Sequence, residues 1–256
     1  MPDFVTVTET AGEAVPAEQL SRLEHRYAWA ADYCRGRDVL EAACGGGLGL
    51  NYLARHARSL RAGDISPRLI NDAQRLNPHI PLSCFDAQSL PFAAESLDVL
   101  LLFEALYYLP SAQRFFAEAR RVLRPGGRLL IATANKDLFD FNPSPYSYRY
   151  YGTAELSRIC RENGLQPQLF GHLSTADVSL RQRGLRPLKK LAVRFGLMPQ
   201  TNAGKRWIKR IVFGRLVALP ERIQPAPASY RPPLRLFSER PDQLHKVIYC
   251  AAVRSA

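Results

Sequence analysis

The stretch Val39-Leu40-Glu41-Ala42-Ala43-Cys44-Gly45-Gly46-Gly47-Leu48-Gly49 constrains this chain more than any other. Its apolar start reads as a buried strand, and its glycines let the backbone turn and approach a ligand where a Cβ would clash. A helical pattern follows, with Leu48, Tyr52 and Leu53 on one face and Arg55 and Arg58 off it. Strand, glycine turn and helix stand in the order of a nucleotide-binding βα unit. A dinucleotide fingerprint also needs a third glycine. Leu50 occupies its place after Gly45 and Gly47, and Tyr52 does so after Gly47 and Gly49. Gly45 is expected to be indispensable to the turn, whereas Gly49, beyond the core of the motif, is expected to tolerate alanine.

The rest of the chain up to about residue 172 continues as alternating strands and helices. Phe4 to Thr8 alternates and reads as a short edge strand; Ala17 to Tyr33 reads as a helix with Leu20, Leu23, Tyr27, Ala30 and Ala31 on one face. Ser59 to Gly63 leads to Asp64-Ile65-Ser66-Pro67, where Ser66 suits a helix cap and Pro67 its first turn. That leaves Asp64 at a strand end, where a carboxylate can accept hydrogen bonds from both hydroxyls of a ribose. A third strand, Leu82 to Phe85, ends in Asp86-Ala87. Leu97 to Phe103 reads as a strand buried on both faces, ending at Glu104-Ala105-Leu106-Tyr107-Tyr108. Ser111 caps a helix, Arg124-Pro125-Gly126-Gly127 turns into the strand Arg128 to Thr133, and Thr153 to Arg161 is a helix stopped by Asn163-Gly164. Gln166 to His172 and Lys246 to Val253 complete the strands.

This ordered set of motifs resembles the class I S-adenosylmethionine (SAM) methyltransferases, in particular the type 11-like, small-molecule branch. Alanine at position 43 replaces the usual first glycine. The resemblance covers about residues 17 to 172 and the final strand. It implies a Rossmann-like α/β fold, with a mostly parallel seven-stranded sheet flanked by helices and a helical insertion before the last strand. It implies SAM as cofactor and direct displacement at the sulfonium methyl, with no metal. Tyr27, Glu41, Ala43, Cys44, Gly45, Gly47, Asp64, Ile65, Asp86, Ala87, Phe103 and Glu104 are then the expected cofactor residues. Arg26 is a further candidate, and Asp86 would face the adenine amino group. A hydroxyl acceptor would benefit from a general base, for which His172 and Glu104 are the candidates. Asn142-Pro143-Ser144-Pro145-Tyr146 imitates the signature of base-amino methyltransferases, but it follows the fifth strand instead of the fourth. Residues 140 to 151 read better as a Tyr- and Pro-rich loop over the acceptor site.

The family's last two strands are joined by a short connection; here about 70 residues intervene. Residues 173–244 hold 15 Lys and Arg against four acids, a net +11 of the chain's +12. The expected organisation is a single methyltransferase domain over 1–256, with its core in 34–172 and 245–254 and a basic helical insertion in 173–244. On a helix from Lys205 to Leu219, Lys205, Arg206, Lys209 and Arg210 share one arc opposite Trp207, Ile208, Ile211, Val212, Ala218 and Leu219. Three roles are open for it: a solvated face, a grip on an anionic acceptor, or peripheral contact with an anionic membrane surface through 185–219. The insertion is expected to leave cofactor binding intact. A small-molecule, sugar or lipid-linked acceptor is the favoured partner. RNA is less favoured, since no recognised RNA-binding module is present, and a noncatalytic SAM-binding or membrane-surface protein is the third reading. The N-terminus lacks a signal-peptide pattern and no long apolar run occurs, so the expected location is the cytoplasm, with the inner face of the membrane open to it. Five scattered cysteines suggest neither a disulfide framework nor a zinc site.

Overall fold

A computed structural model describes residues 4–144, 146–175, 216–223, 230–237 and 239–255. The elements in chain order are β1 (Ala14–Pro16), α1 (Ala17–Cys34), β2 (Asp38–Ala42), α2 (Leu50–Ala54), β3 (Ser59–Asp64), α3 (Pro67–Leu76), β4 (Leu82–Cys84) and β5 (Leu97–Phe103). There follow α4 (Ala112–Val122), β6 (Leu123–Ala134), α5 (Thr153–Glu162), β7 (Leu165–Ser174), β8 (Leu216–Ala218), β9 (Leu234–Leu236) and β10 (His245–Arg254).

The main sheet has the order β4-β3-β2-β5-β6-β10-β7-β9. The pairs from β4 through β6 are parallel, whereas β10 runs antiparallel to both β6 and β7. The chain winds outward from β2 through β3 to β4, then crosses to β5 on the other side of β2. That reversal opens a crevice at the carboxyl ends of β2 and β5, where open α/β sheets take their ligands.

Side chains alternate along β5 to build one core on each face. Val99, Leu101 and Phe103 pack with Leu23, Tyr27, Ala30, Leu50 and Leu53 of α1 and α2. Leu100 and Leu102 pack with Phe115, Phe116, Leu156 and Cys160 of α4 and α5. This two-sided burial is why Leu97–Phe103 is an almost unbroken apolar run. Ser66 and Ser111 cap α3 and α4 by accepting from the amides of Leu69 and Arg114.

Three expectations are corrected. Phe4–Val7 is a 3-10 helix instead of an edge strand; the Thr8 hydroxyl donates to the Phe4 carbonyl at 2.7 Å and closes the turn locally. The sheet has an eighth strand, because Leu234–Leu236 of the insertion pairs antiparallel with β7 at its edge. The helix expected from Lys205 to Leu219 does not hold at Leu216–Ala218, since β8 pairs antiparallel with β1 in a separate ribbon. Lys205, Arg206, Lys209, Arg210 and the rest of the proposed basic arc lie outside the described residues. Just past the ribbon, the Ile223 amide donates to the Leu48 carbonyl at 3.3 Å. Leu219 and Ile223 are buried in the same core as Leu48 and Tyr27. Among the described residues no helix is long and apolar enough to cross a membrane.

Candidate functional site

A cavity of about 450 Å³ opens at the β2/β5 reversal. Its floor is the glycine turn after β2 and the ends of β3 and β5, and its roof is the N-terminal segment with the polar side of α1. Of the residues expected at the cofactor, Tyr27, Glu41, Ala43, Cys44, Gly45, Asp64, Ile65, Asp86, Ala87, Phe103 and Glu104 all line it. Gly47 does not. It has a φ of +75°, and a Cβ there would lie 2.8 Å from the Asn77 amide nitrogen and 2.9 Å from Ala73 Cβ, so it serves the turn and its packing on α3.

Three carboxylates sit around the floor. Asp64 is buried at the end of β3 and braces the turn, accepting from the Gly45 amide and the Ser66 amide at 3.0 Å each. Burial pushes its carboxyl up, and these amides partly offset the effect. A carboxylate has room for about four hydrogen bonds, so capacity for a diol remains. Asp86 holds the next turn by accepting from the Gln88 amide at 2.8 Å. Glu41, 1% exposed, accepts from the Tyr27 hydroxyl at 2.6 Å through Oε1, while its Oε2 has no partner among the described residues. Burial drives the Glu41 carboxyl up to about 7.

Over this floor, Arg26 of α1 is 8% exposed and donates to Glu9 at 2.5 Å, yet its Nε is buried without a partner among the described residues. The cavity thus presents one orphaned buried acceptor and one orphaned buried donor. Such atoms are costly unless a ligand completes them. An acceptor oxygen on a carboxyl and a donor on a guanidinium complement the ammonium and carboxylate of an amino acid.

Glu104 stands where the two halves of the cavity meet. Its φ of +51° is unusual for a residue with a side chain. Arg22 donates to Oε1 and the Tyr107 hydroxyl to Oε2, each at 3.1 Å. Beyond it, Phe4, Tyr107, Tyr108, Pro110, Ser144 and Tyr148 line the cavity, so the 140–151 loop does border this side as expected. Its Tyr148 amide donates to the Tyr107 carbonyl at 2.8 Å, and the Tyr108 and Ser144 hydroxyls meet at 2.6 Å.

His172 is not brought to the cavity. Its ring stacks on His25 at 3.5 Å and lies near Tyr249, and it is not among the residues that line the cavity. Burial, with His25 and Arg22 nearby, pushes its imidazole down to about 3, so it stays neutral at ordinary pH. Gly49 is also corrected. A Cβ there would lie 2.0 to 2.4 Å from three atoms of the Tyr27 ring, because helix α1 crosses directly over the turn. Sequence reading missed Glu9, Gln19 and Arg22 of the roof. Gln19, Arg22 and Arg26 follow an i, i+3, i+7 spacing, a polar stripe beside an apolar helix face, which was the available signal. Among the described residues no group of His, Cys, Asp and Glu could hold a metal ion.

A methyltransferase-domain family model matches residues 40–131, the glycine turn through β6. A chain of Mycolicibacterium smegmatis, named a probable S-adenosylmethionine-dependent methyltransferase, is 30% identical over 171 residues. The match covers 64% of this chain, and the chain spans just under two thirds, 64%, of that relative's length. The ubiquinone biosynthesis O-methyltransferase of Coxiella burnetii is 27% identical over 182 residues, covering 70% of this chain and 76% of that one. The phthiotriol/phenolphthiotriol dimycocerosates methyltransferase of Mycobacterium leprae is 42% identical over 101 residues, 38% of this chain and 37% of that one. Among solved structures, a SAM-dependent methyltransferase from Thermotoga maritima superposes with a TM-score of 0.54 at 14% identity, covering 93% of this chain and 92% of that one. The [4+2]-cyclase SpnF superposes at 0.59 and 17% identity, covering 97% and 85%. The family match lies on the turn and strands that build this crevice, and the chain shares the Rossmann-like fold of S-adenosylmethionine-dependent methyltransferases around it.

Proposed function

We propose that the chain transfers a methyl group from SAM to a small-molecule or lipid-linked acceptor. The observation that carries this reading is the pair of orphaned atoms, Glu41 Oε2 and Arg26 Nε, in a cavity that Asp64 also lines. They suit the amino-acid end and the ribose of SAM, and the Asp86-Ala87-Gln88 turn suits its adenine. SAM supplies a methyl group already bonded to a good leaving group, so the protein's task is alignment and exclusion of water. Glu104 is the residue assigned to orient the acceptor and receive its proton, because it borders both halves of the cavity and is held by two donors. His172 is not assigned that role.

The names of the ubiquinone and phthiotriol relatives support a lipid-linked acceptor over a nucleic acid. The superposition on a [4+2]-cyclase means that the fold does not by itself establish methyl transfer. Two measurements therefore test the proposal. Calorimetry with SAM should give saturable binding at one site, and incubation with methyl-labelled SAM and fractionated cell extract should label a small, organic-extractable product. Binding without any labelled product would leave the noncatalytic reading; no binding would end both.

A further inference from the structure

Resting on the methyltransferase reading, we infer that the acceptor is an uncharged phenolic molecule, seated against the rings beyond Glu104 with its hydroxyl on that carboxylate. An anionic acceptor, as the basic insertion suggests, does not suit the described walls.

The distribution of charge carries the first step. Five carboxylates and two guanidinium groups line the cavity among the described residues. Both guanidinium groups are already matched, Arg26 by Glu9 at 2.5 Å and Arg22 by Glu104 at 3.1 Å. The unmatched acids Glu41, Asp64 and Asp86 all lie on the side of the glycine turn. An anion entering the far side would meet Glu104 with Arg22 already spent on it, and like charges in a partly dried cavity repel strongly. A cation gains little there either, since the one acid on that side is neutralised by its ion pair.

Shape and surface carry the second step. Phe4 and Tyr108 lie 5.4 Å apart between ring centres, Tyr108 and Tyr107 4.6 Å, and Tyr107 and Tyr150 4.3 Å. Phe4, Tyr108 and Tyr107 line the cavity beyond Glu104 as a run of tilted rings, with Tyr150 stacked on Tyr107, and Tyr148 lines it too. There Tyr148 is 59% exposed, and the neighbouring loop residues Phe139 and Tyr146 are 59% and 55% exposed. Aromatic walls favour a flat ring in offset or edge contact. Each Glu104 oxygen holds one donor among the described residues and has capacity for another, so a hydroxyl can add to it without displacing Arg22 or Tyr107.

The test uses the full chain saturated with S-adenosylhomocysteine, titrated calorimetrically with 4-butylphenol, 4-butylphenyl phosphate and 4-butylbenzylamine. The phenol should bind with the other two at least about tenfold weaker. Tyr148→Ala, on the exposed rim, should weaken the phenol about five- to tenfold and leave S-adenosylhomocysteine affinity and the melting temperature unchanged. The inference is overturned if the phosphate or the amine binds as tightly as the phenol, if Tyr148→Ala has no effect, or if cofactor-loaded protein takes up none of the three. Failure of S-adenosylhomocysteine itself to bind would instead strike the methyltransferase reading.

Discussion

Glu41 should make the free protein lose stability as pH rises through neutrality, and Glu41→Gln should abolish that loss. The carboxyl is 1% exposed, has a single donor in Tyr27, and is carried by burial from an ordinary 4.5 to about 7. A raised acid in the folded state means that its contribution is fully present below pH 4.5 and lost as pH climbs through 7. At 1.36 kcal/mol per pH unit, that span is worth roughly 3 kcal/mol. Urea denaturation of wild type and Glu41→Gln between pH 4.5 and 8 isolates the effect as the difference in slope. The slope is the safer readout, because the buried amide of the variant carries its own unpaired donor and shifts all pH values alike. Cofactor binding should show the opposite trend. An ammonium at Oε2 favours the ionised carboxyl, so SAM affinity should rise toward pH 8 in wild type. In Glu41→Gln it should be about 10- to 150-fold weaker and flat with pH. Parallel denaturation curves for the two proteins would refute the reasoning, since they would mean that Glu41 is as well solvated folded as unfolded.

Gly49→Ala should destabilise the fold by roughly 1 to 3 kcal/mol, because the Cβ meets the Tyr27 ring, whereas Gly46→Ala, with nothing nearer than the Glu9 carbonyl at 3.9 Å, should denature like wild type. Equal midpoints for the two would mean that α1 does not cross the turn. Asp64→Asn should weaken SAM about 10- to 150-fold by calorimetry through the lost charge on the ribose hydroxyls, while keeping an oxygen for the Gly45 amide. Unchanged affinity removes Asp64 from the site. Ala43 adopts a φ of +56°, so Ala43→Gly should relieve left-handed strain and raise stability by roughly 0.5 to 1 kcal/mol, read as a higher urea midpoint; a lower midpoint would show that the alanine methyl packs there to advantage.

The strand and helix order from Ala17 to His172 was legible because each element carries its own local signal. Leu97–Phe103 is apolar on both faces, Ser66-Pro67 and Ser111 announce helix starts, and the glycine turn marks the crevice. The floor of the cavity followed from these. The roof did not, because Gln19 and Arg22 reach it from a helix remote in sequence, and only packing shows which side of α1 looks inward. The same remoteness hid the Gly49 contact with Tyr27. His172 sat at a plausible strand end, yet strand periodicity does not say which partner its ring will find; it found His25. The helical wheel failed at Leu216–Ala218 because a short apolar run fits strand and helix alike, and pairing with Ala14–Pro16 decided the matter.

That small ribbon ties together parts of the chain that the sequence keeps apart. Gly12 and Glu13 exchange backbone hydrogen bonds with Leu219, and four residues later Ile223 holds Leu48 of the glycine turn. The inserted segment therefore returns to the fold through a strap fastened at once to the cavity's roof and to its floor. A partner that engaged the insertion and moved the strap would alter how firmly the cofactor is held. Free-energy coupling runs equally in both directions, so the cofactor would then alter the hold on that partner by the same factor. The insertion thus shares its anchorage with the site.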